Sequence, residues 1–127
     1  MNIKPKILII DDDFFLLDMY ILKFQEAGFD IETAKNGAEA LEKLKSKNLN
    51  PDVILLDILM PSMDGFEFLK IVKDKNIAPN SKIIVLSNVG QKEEIDKSLN
   101  LGAKDYIIKA HHTPSEVMEK IRKIMTE

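Results

Sequence analysis

Val53-Ile54-Leu55-Leu56-Asp57 sets four branched apolar residues in a row and stops them on a carboxylate. The pattern recurs along the chain: Ile7-Leu8-Ile9-Ile10 stops on Asp11-Asp12, Ile83-Ile84-Val85-Leu86 on Ser87, and Ile107-Ile108 on Lys109. A half-exposed strand alternates polar with apolar residues, whereas an unbroken Val/Ile/Leu run is the signature of a parallel strand covered on both faces. Ligands of open parallel sheets sit at the carboxyl ends of the strands. Asp11, Asp12, Asp57, Ser87 and Lys109 are therefore predicted to converge on one edge. Carboxylates gathered there repel one another, and any phosphate, unless a cation lies between them, so the pattern itself points to a divalent metal.

The segments between these runs have helical period, and strand alternating with helix argues for an α/β sheet wound on both faces. Asp13 is the expected N-cap of a first helix on which Phe14, Leu17, Ile21 and Phe24 recur at helical spacing, with Gly28 as its C-terminal glycine. Phe29 to Ala34 alternates Phe29, Ile31 and Thr33 and reads as an edge strand. A second helix opens at Asn36 with Glu39 as reciprocal acceptor and carries Ala40, Leu41 and Leu44 inward. A third repeats the device with Asp64 and Glu67, followed by Phe66, Leu69 and Val72. Asn80-Ser81 marks the turn into the fourth strand. The fourth helix, Gln91 to Leu101, has only Ile95 and Leu99 as an apolar stripe before Gly102, so it is expected to be the least firmly packed. Thr113-Pro114-Ser115-Glu116 supplies N-cap, proline and capping glutamate to a fifth helix carrying Val117, Ile121 and Ile124.

At 127 residues and 45% hydrophobic content, the chain is expected to be a single domain over 1–127, ending at Thr126-Glu127 about where its fold ends, without an output domain. Lys+Arg of 18 against Asp+Glu of 21 gives a net charge of -3, which leaves no basic footprint for direct nucleic-acid binding. The absence of Cys excludes a disulfide framework, a thiolate metal site and a catalytic thiol. No apolar stretch approaches the roughly 20 residues of a membrane span. Met1-Asn2-Ile3-Lys4-Pro5-Lys6 lacks the apolar core, ~7 to 15 residues long, of a signal peptide. A cytoplasmic location is expected.

Four stretches together resemble the response-regulator receiver domain, the phosphoacceptor half of two-component signalling. They are Ile7 to Asp12, Leu55-Leu56-Asp57-Ile58-Leu59-Met60-Pro61-Ser62-Met63-Asp64-Gly65, Val85-Leu86-Ser87-Asn88, and Gly102-Ala103-Lys104-Asp105-Tyr106-Ile107-Ile108-Lys109. Their order and spacing match over almost the full length. The resemblance implies a doubly wound, five-stranded parallel sheet in the flavodoxin-like order 2-1-3-4-5. It implies Asp57 as phosphoacceptor, Asp12 as direct Mg²⁺ ligand, Asp11 as its partner acting through a bound water, and Leu59 as donor of a backbone carbonyl to the metal. Lys109 would place a point charge on the phosphoryl oxygens, and Ser87 would donate its hydroxyl to them. Tyr106 resembles the aromatic that swings inward when the serine is drawn to the phosphate, switching the face of helix four, strand five and helix five. A sensor histidine kinase or histidine phosphotransfer protein is implied as partner, read by helix-one positions such as Asp18, Tyr20 and Lys23. Phosphorylation-dependent self-association through the switched face is expected.

His111 and His112 read as exposed loop residues before the Thr113 cap, and Met60 and Met63 as packing residues. The family usually has proline, after a cis bond, behind the strand-five lysine. Ala110 stands here, and a cis bond before a residue other than proline costs about 2.5 to 4 kcal/mol, so a trans bond and an altered loop to Thr113 are predicted. Three rival functions are weaker. A phosphatase of the haloacid-dehalogenase type needs a second aspartate where Leu59 stands. A flavin carrier needs Ser, Thr and Gly donors where Asp11-Asp12-Asp13-Phe14 stands. A phosphate-independent pseudo-receiver would have no use for five chemically competent site positions.

Overall fold

Three of the four apolar runs are the inner strands of a parallel sheet in a computed structural model that describes residues 4–46 and 49–127. Met1 to Ile3, read above for a leader, lie outside the described residues. The chain runs Lys6–Ile10 (β1), Phe14–Glu26 (α1), Asp30–Ala34 (β2), Gly37–Ser46 (α2), Val53–Leu56 (β3), Gly65–Asp74 (α3), Lys82–Ser87 (β4), Lys92–Asn100 (α4), Asp105–Ile108 (β5) and Pro114–Met125 (α5). The sheet order is β2-β1-β3-β4-β5, so the expected doubly wound, flavodoxin-like topology is present.

The unbroken apolar runs follow from burial on both faces. Ile7, Ile9, Val53, Leu55, Ile84 and Leu86 point into one core with Leu17, Tyr20 and Phe24 of α1 and Val117, Ile121 and Ile124 of α5. Leu8, Ile10, Ile54, Leu56, Ile83 and Val85 point into the other with Ala40, Leu41 and Leu44 of α2 and Phe68, Leu69 and Val72 of α3. Each such side chain contributes about 1.5 to 3 kcal/mol relative to exposure, so a one-residue slip that swapped the faces would be heavily penalised. Register is thereby fixed, and Ile10, Leu56 and Val85 lie level across the three inner strands.

The caps follow the sequence with local differences. Asp13 accepts from the Leu16 amide at 3.2 Å, Asp64 from that of Glu67 at 2.9 Å, and Thr113 with Glu116 closes a full capping box. Asn36 accepts from the Glu39 amide, but the Glu39 carboxylate reaches back to the Lys35 amide rather than to the cap residue's own. Gly28 and Gly102 take φ of +90° and +107°, where a Cβ is strained, and so end α1 and α4 as expected.

Four side chains depart from the sequence reading. Phe14 is exposed at the start of α1, because the helix turns Leu17, Tyr20 and Phe24 to the sheet instead. Tyr20, expected at the surface, is 1% exposed in that core. Phe66 is half-buried and Phe68 takes the core place. On α4 Leu99 faces solvent, and the buried residue is Ser98, whose hydroxyl donates to the Glu94 carbonyl at 2.9 Å. No residue of α4 joins either core, in keeping with its expected weak packing.

Burial, seconded by the nearby charge of Asp11, pushes the Tyr20 hydroxyl up to about 12. A folded pKa above the unfolded value of 10.0 adds stability that is full below pH 10 and is lost as pH rises through about 12. Denaturant melts of wild type across that window are expected to lose stability, and Tyr20→Phe to lose less, by at most about 2 to 3 kcal/mol. Equal slopes in both proteins would contradict this.

Candidate functional site

Sheet register builds the site. The Asp11 amide donates to the Ala34 carbonyl and the Asp57 amide to the Ile10 carbonyl, each at 3.0 Å, so both aspartates are fixed one residue past their strands. Ser87 ends β4 opposite Ile108, and Lys109 follows directly. Gly65 closes the loop after Asp57: its amide donates to the Ile58 carbonyl, and a Cβ there would lie 2.7 Å from the Asp57 carbonyl oxygen. Only glycine permits that approach.

Asp11, Asp12 and Asp57 each offer a carboxylate oxygen within 4.8 Å of the others. Asp11 and Asp57 are buried, at 3% and 7% exposure, while Asp12 opens to solvent. The Lys109 ammonium bridges the buried pair, 2.7 Å from Asp11 and 3.4 Å from Asp57. A second donor to Asp11 is the Asp13 amide at 2.9 Å. Burial raises the Asp57 carboxyl above its ordinary value; the Lys109 charge works against this and the Asp11 charge adds to it. Burial alone would lower Lys109, but its hydrogen bond to Asp11 and the charges of Asp57 and Asp11 outweigh it, and the lysine is raised and stays protonated. The donors are all hard carboxylate oxygens, and the two buried carboxylates exceed the single Lys109 ammonium by one negative charge, to which the solvent-facing Asp12 adds another; this set fits a hard divalent cation.

Ser87 is 1% exposed, and its oxygen accepts from the Val89 amide at 3.3 Å. Tyr106 is half-buried and turned inward, its hydroxyl donating to the Val89 carbonyl. Burial raises that hydroxyl; a hydrogen bond from Ser87 pulls it back, while the charges of Glu94 and Asp57 push it further up. Leu59 stands 65% exposed beside the site. Among the described residues every peptide bond is trans, Lys109-Ala110 included, and Lys109–His111 form a 3-10 turn before the Thr113 cap, with His111 exposed and His112 half-buried. Met60 is buried and Met63 packs on the same core, as expected of packing residues.

The family model of the response regulator receiver domain matches residues 7–122. The chain belongs to this family. The chemotaxis protein CheY of Thermotoga maritima is 39% identical over 94% of this chain and 96% of its own length, and that of Bacillus subtilis is 37% identical over 94% and 97%. The PhoP transcriptional regulatory protein of Bacillus subtilis is 33% identical over 96% of this chain, which covers 49% of that longer protein. Among solved structures, the CheY-like receiver domain protein of Methanospirillum hungatei superposes with a TM-score of 0.87 at 31% identity, covering 98% of this chain and 95% of its own. Receivers are the phosphoacceptor domains of two-component signalling. They bind Mg²⁺ at an acidic pocket and take their phosphoryl groups from histidine kinases or other phosphodonors. No helix among the described residues is long and apolar enough to cross a membrane.

Three features of the site lay outside the sequence reading. Asp11 is the nearer partner of Lys109, the Val89 carbonyl is the anchor of Tyr106, and one Glu94 carboxylate oxygen is enclosed without a hydrogen-bond partner. Asp11 was named without its pairing, and the helical surface pattern around Glu94 gave no sign of burial.

A carboxyl whose folded pKa is raised contributes stability below its unfolded value that is lost as pH rises through the folded one, so ionised Asp57 opposes folding at neutral pH. Asp57→Asn is therefore expected to melt above wild type in chelator at pH 7. Added Mg²⁺, which favours the ionised carboxylate, should narrow the gap. A variant that melts below wild type in chelator would contradict this.

Proposed function

We propose that this receiver, a single domain over 1–127, accepts a phosphoryl group on Asp57 from a sensor histidine kinase or histidine phosphotransfer protein. The observation that carries the reading is the meeting of Asp57 with Asp11, Asp12 and Lys109 at the end of the sheet. An Asp57 oxygen attacks phosphorus, the bond from phosphorus to the donor's imidazole nitrogen breaks, and its electron pair leaves with the ring. Asp11, Asp12, Asp57 and the Leu59 backbone carbonyl would hold Mg²⁺, which would supply the positive charge that lets carboxylate and phosphoryl anions approach. Lys109, already protonated between the two buried carboxylates, is placed to take up charge on the transferred oxygens. The Ser87 hydroxyl then donates to a phosphoryl oxygen. The domain catalyses only its own phosphorylation and dephosphorylation.

Ser87 ends β4 beside β5, Tyr106 lies on β5, and α4 packs against that strand, which supports the face of α4, β5 and α5 as the one that phosphorylation switches, with self-association or partner binding as its output. The donor's docking surface is read at α1, where Phe15 is 89% exposed and Met19 and Leu22 about half so, beside the exposed Asp18. Tyr20 is withdrawn from that surface by its burial. The chain's acidic balance and its lack of a membrane-spanning helix among the described residues support a cytoplasmic protein that touches neither nucleic acid nor membrane directly.

Calorimetric titration with beryllofluoride, a phosphoryl mimic, tests the reading. Wild type is expected to bind only with Mg²⁺ present, and Asp57→Asn not at all; equal binding by both proteins would leave the phosphate-independent pseudo-receiver as the better account.

Slow loss of the phosphoryl group follows from the same site. Hydrolysis needs a water in line with phosphorus, and the positions two past the acceptor and two past the serine are Leu59 and Val89, neither of which hydrogen-bonds water through its side chain. Placement of a reacting group is worth about 10²-fold. Dephosphorylation of purified protein is expected over many minutes or longer, and Leu59→Asn or Val89→Glu to accelerate it; decay within seconds in wild type, or no acceleration in either variant, would show that these positions do not set the rate.

A further inference from the structure

We propose that Gly90 and Ile108 form a seat for the loop between β4 and α4, holding the Val89 carbonyl within reach of Tyr106. The inference rests on the proposed role of Tyr106 and names what positions that switch. Gly90 opens to solvent on one side, yet the direction in which a side chain would grow points at β5. A Cβ there would lie 2.6 Å from Ile108 Cδ1, 3.2 Å from its Cγ1 and 3.8 Å from its Cγ2. Carbon atoms attract best at about 3.5 to 4.0 Å, so the first two approaches are repulsive. Gly90 is not among the glycines of positive φ, so the position needs the missing Cβ rather than a glycine backbone.

Tyr106 and Ile108 are two apart on β5 and so stand on one face of the sheet. Side by side they hold successive residues of one loop: the Tyr106 hydroxyl donates to the Val89 carbonyl, and Ile108 lies against Gly90. Ile108 is placed by register opposite Ser87, whose oxygen accepts from the Val89 amide at 3.3 Å. Gln91 follows as the N-cap of α4 and makes no side-chain capping bond, while no residue of α4 joins either core, so the loop sets where α4 begins. A side chain at position 90 would have two ways out. Rotation of Ile108 about χ2 moves Cδ1 but leaves Cγ1, and χ1 of a β-branched residue is stiff. The remaining overlap lifts the loop from β5 and carries the Val89 carbonyl away from a phenol whose reach is set by its strand. Tyr106 then loses its acceptor and turns outward. The bare position at Gly90 is thus a condition of the inward arrangement.

The test follows the tyrosine directly. The chain has two tyrosines, and Tyr20, 1% exposed in its core, is the internal control that a variant is folded. Ring-¹³C tyrosine NMR of the metal-free protein with a neutral paramagnetic probe in solution reads how far each ring is open, the Tyr106 signal being assigned by its loss in Tyr106→Phe. Gly90→Ala, and Gly90→Ser with the same added Cβ, are expected to lower the inward-to-outward ratio of Tyr106 by about tenfold, the scale of one group forced into filled space, with Tyr20 unmoved. Ile108→Val removes the Cδ1 atom; it should stay near wild type alone and recover most of the loss when added to Gly90→Ala. Beryllofluoride with Mg²⁺ should bind Gly90→Ala up to about tenfold more weakly, and the double variant near wild type, by linkage to the same equilibrium. A Tyr106 signal unchanged in Gly90→Ala and Gly90→Ser, or a loss that Ile108→Val does not recover, would overturn the proposal. Failure of beryllofluoride to bind any of the proteins would instead count against the phosphoacceptor reading, since the NMR comparison needs no phosphoryl mimic.

Discussion

A parallel sheet covered on both faces has no place for a charged side chain in the middle of its inner strands, so ionisable groups are confined to the strand ends, Lys6 and Lys82 where two begin and the site residues where they stop. Register then decides which of them meet. Ile10, Leu56 and Val85 lie level, and the residues just past them bring Asp11 and Asp57 together, while Lys109, 98 residues from the first and 52 from the second, closes on both. Such an ion pair adds little to stability, because taking charges out of water costs about as much as their attraction returns. Its effect is geometric. With two buried carboxylates sharing one ammonium, the pocket is held in a single arrangement and remains short of positive charge, which is the condition under which a further cation and a phosphoryl anion are taken up together.

Most of this was legible in the sequence because burial on both faces leaves a compositional mark. Each inner strand shows as an apolar run, and each run names the polar residue at its end, so the wound α/β class and the strand-end side chains could be read without coordinates, while the strand order came from the family resemblance. Helix faces were less legible. The period on α1 admits either Phe14, Leu17, Ile21, Phe24 or Leu17, Tyr20, Phe24 as the inward stripe, and tertiary packing chose the second, burying a tyrosine and exposing phenylalanine. On α4 the only apolar pair was Ile95 and Leu99, yet a serine that bonds to its own helix fills the buried place, since a small side chain lets a polar helix lie close to its neighbours. Backbone partners such as the Val89 carbonyl are invisible to any reading of residue types, because every residue carries one.

The peripheral position of α4 is the counterpart of the rigid centre. Its ties include a Lys97 ammonium 4.3 Å from the centroid of the Phe66 ring, which packs on the edge of one core, a long Lys73 hydrogen bond to the Asn100 carbonyl, and the enclosed Ser98, while no apolar side chain of α4 joins either core. An element fixed by contacts this weak can change position at a cost of a few kcal/mol without disturbing either core. The sheet therefore holds the chemistry still while the helix beside it stays movable.

Ligand energy reaches such an element only through a group that is bonded differently in its two arrangements. Ser87 and Tyr106 are placed for that in the proposed switch: the serine oxygen accepts from the Val89 amide while the tyrosine donates to the Val89 carbonyl, so both are tied to one residue of the loop that leads into α4. On the proposed reading, a Ser87 hydroxyl drawn toward a phosphoryl oxygen on Asp57 would alter the loop at the point where the tyrosine is anchored. Coupling thus needs no long chain of packed residues. It needs only that Val89 be shared.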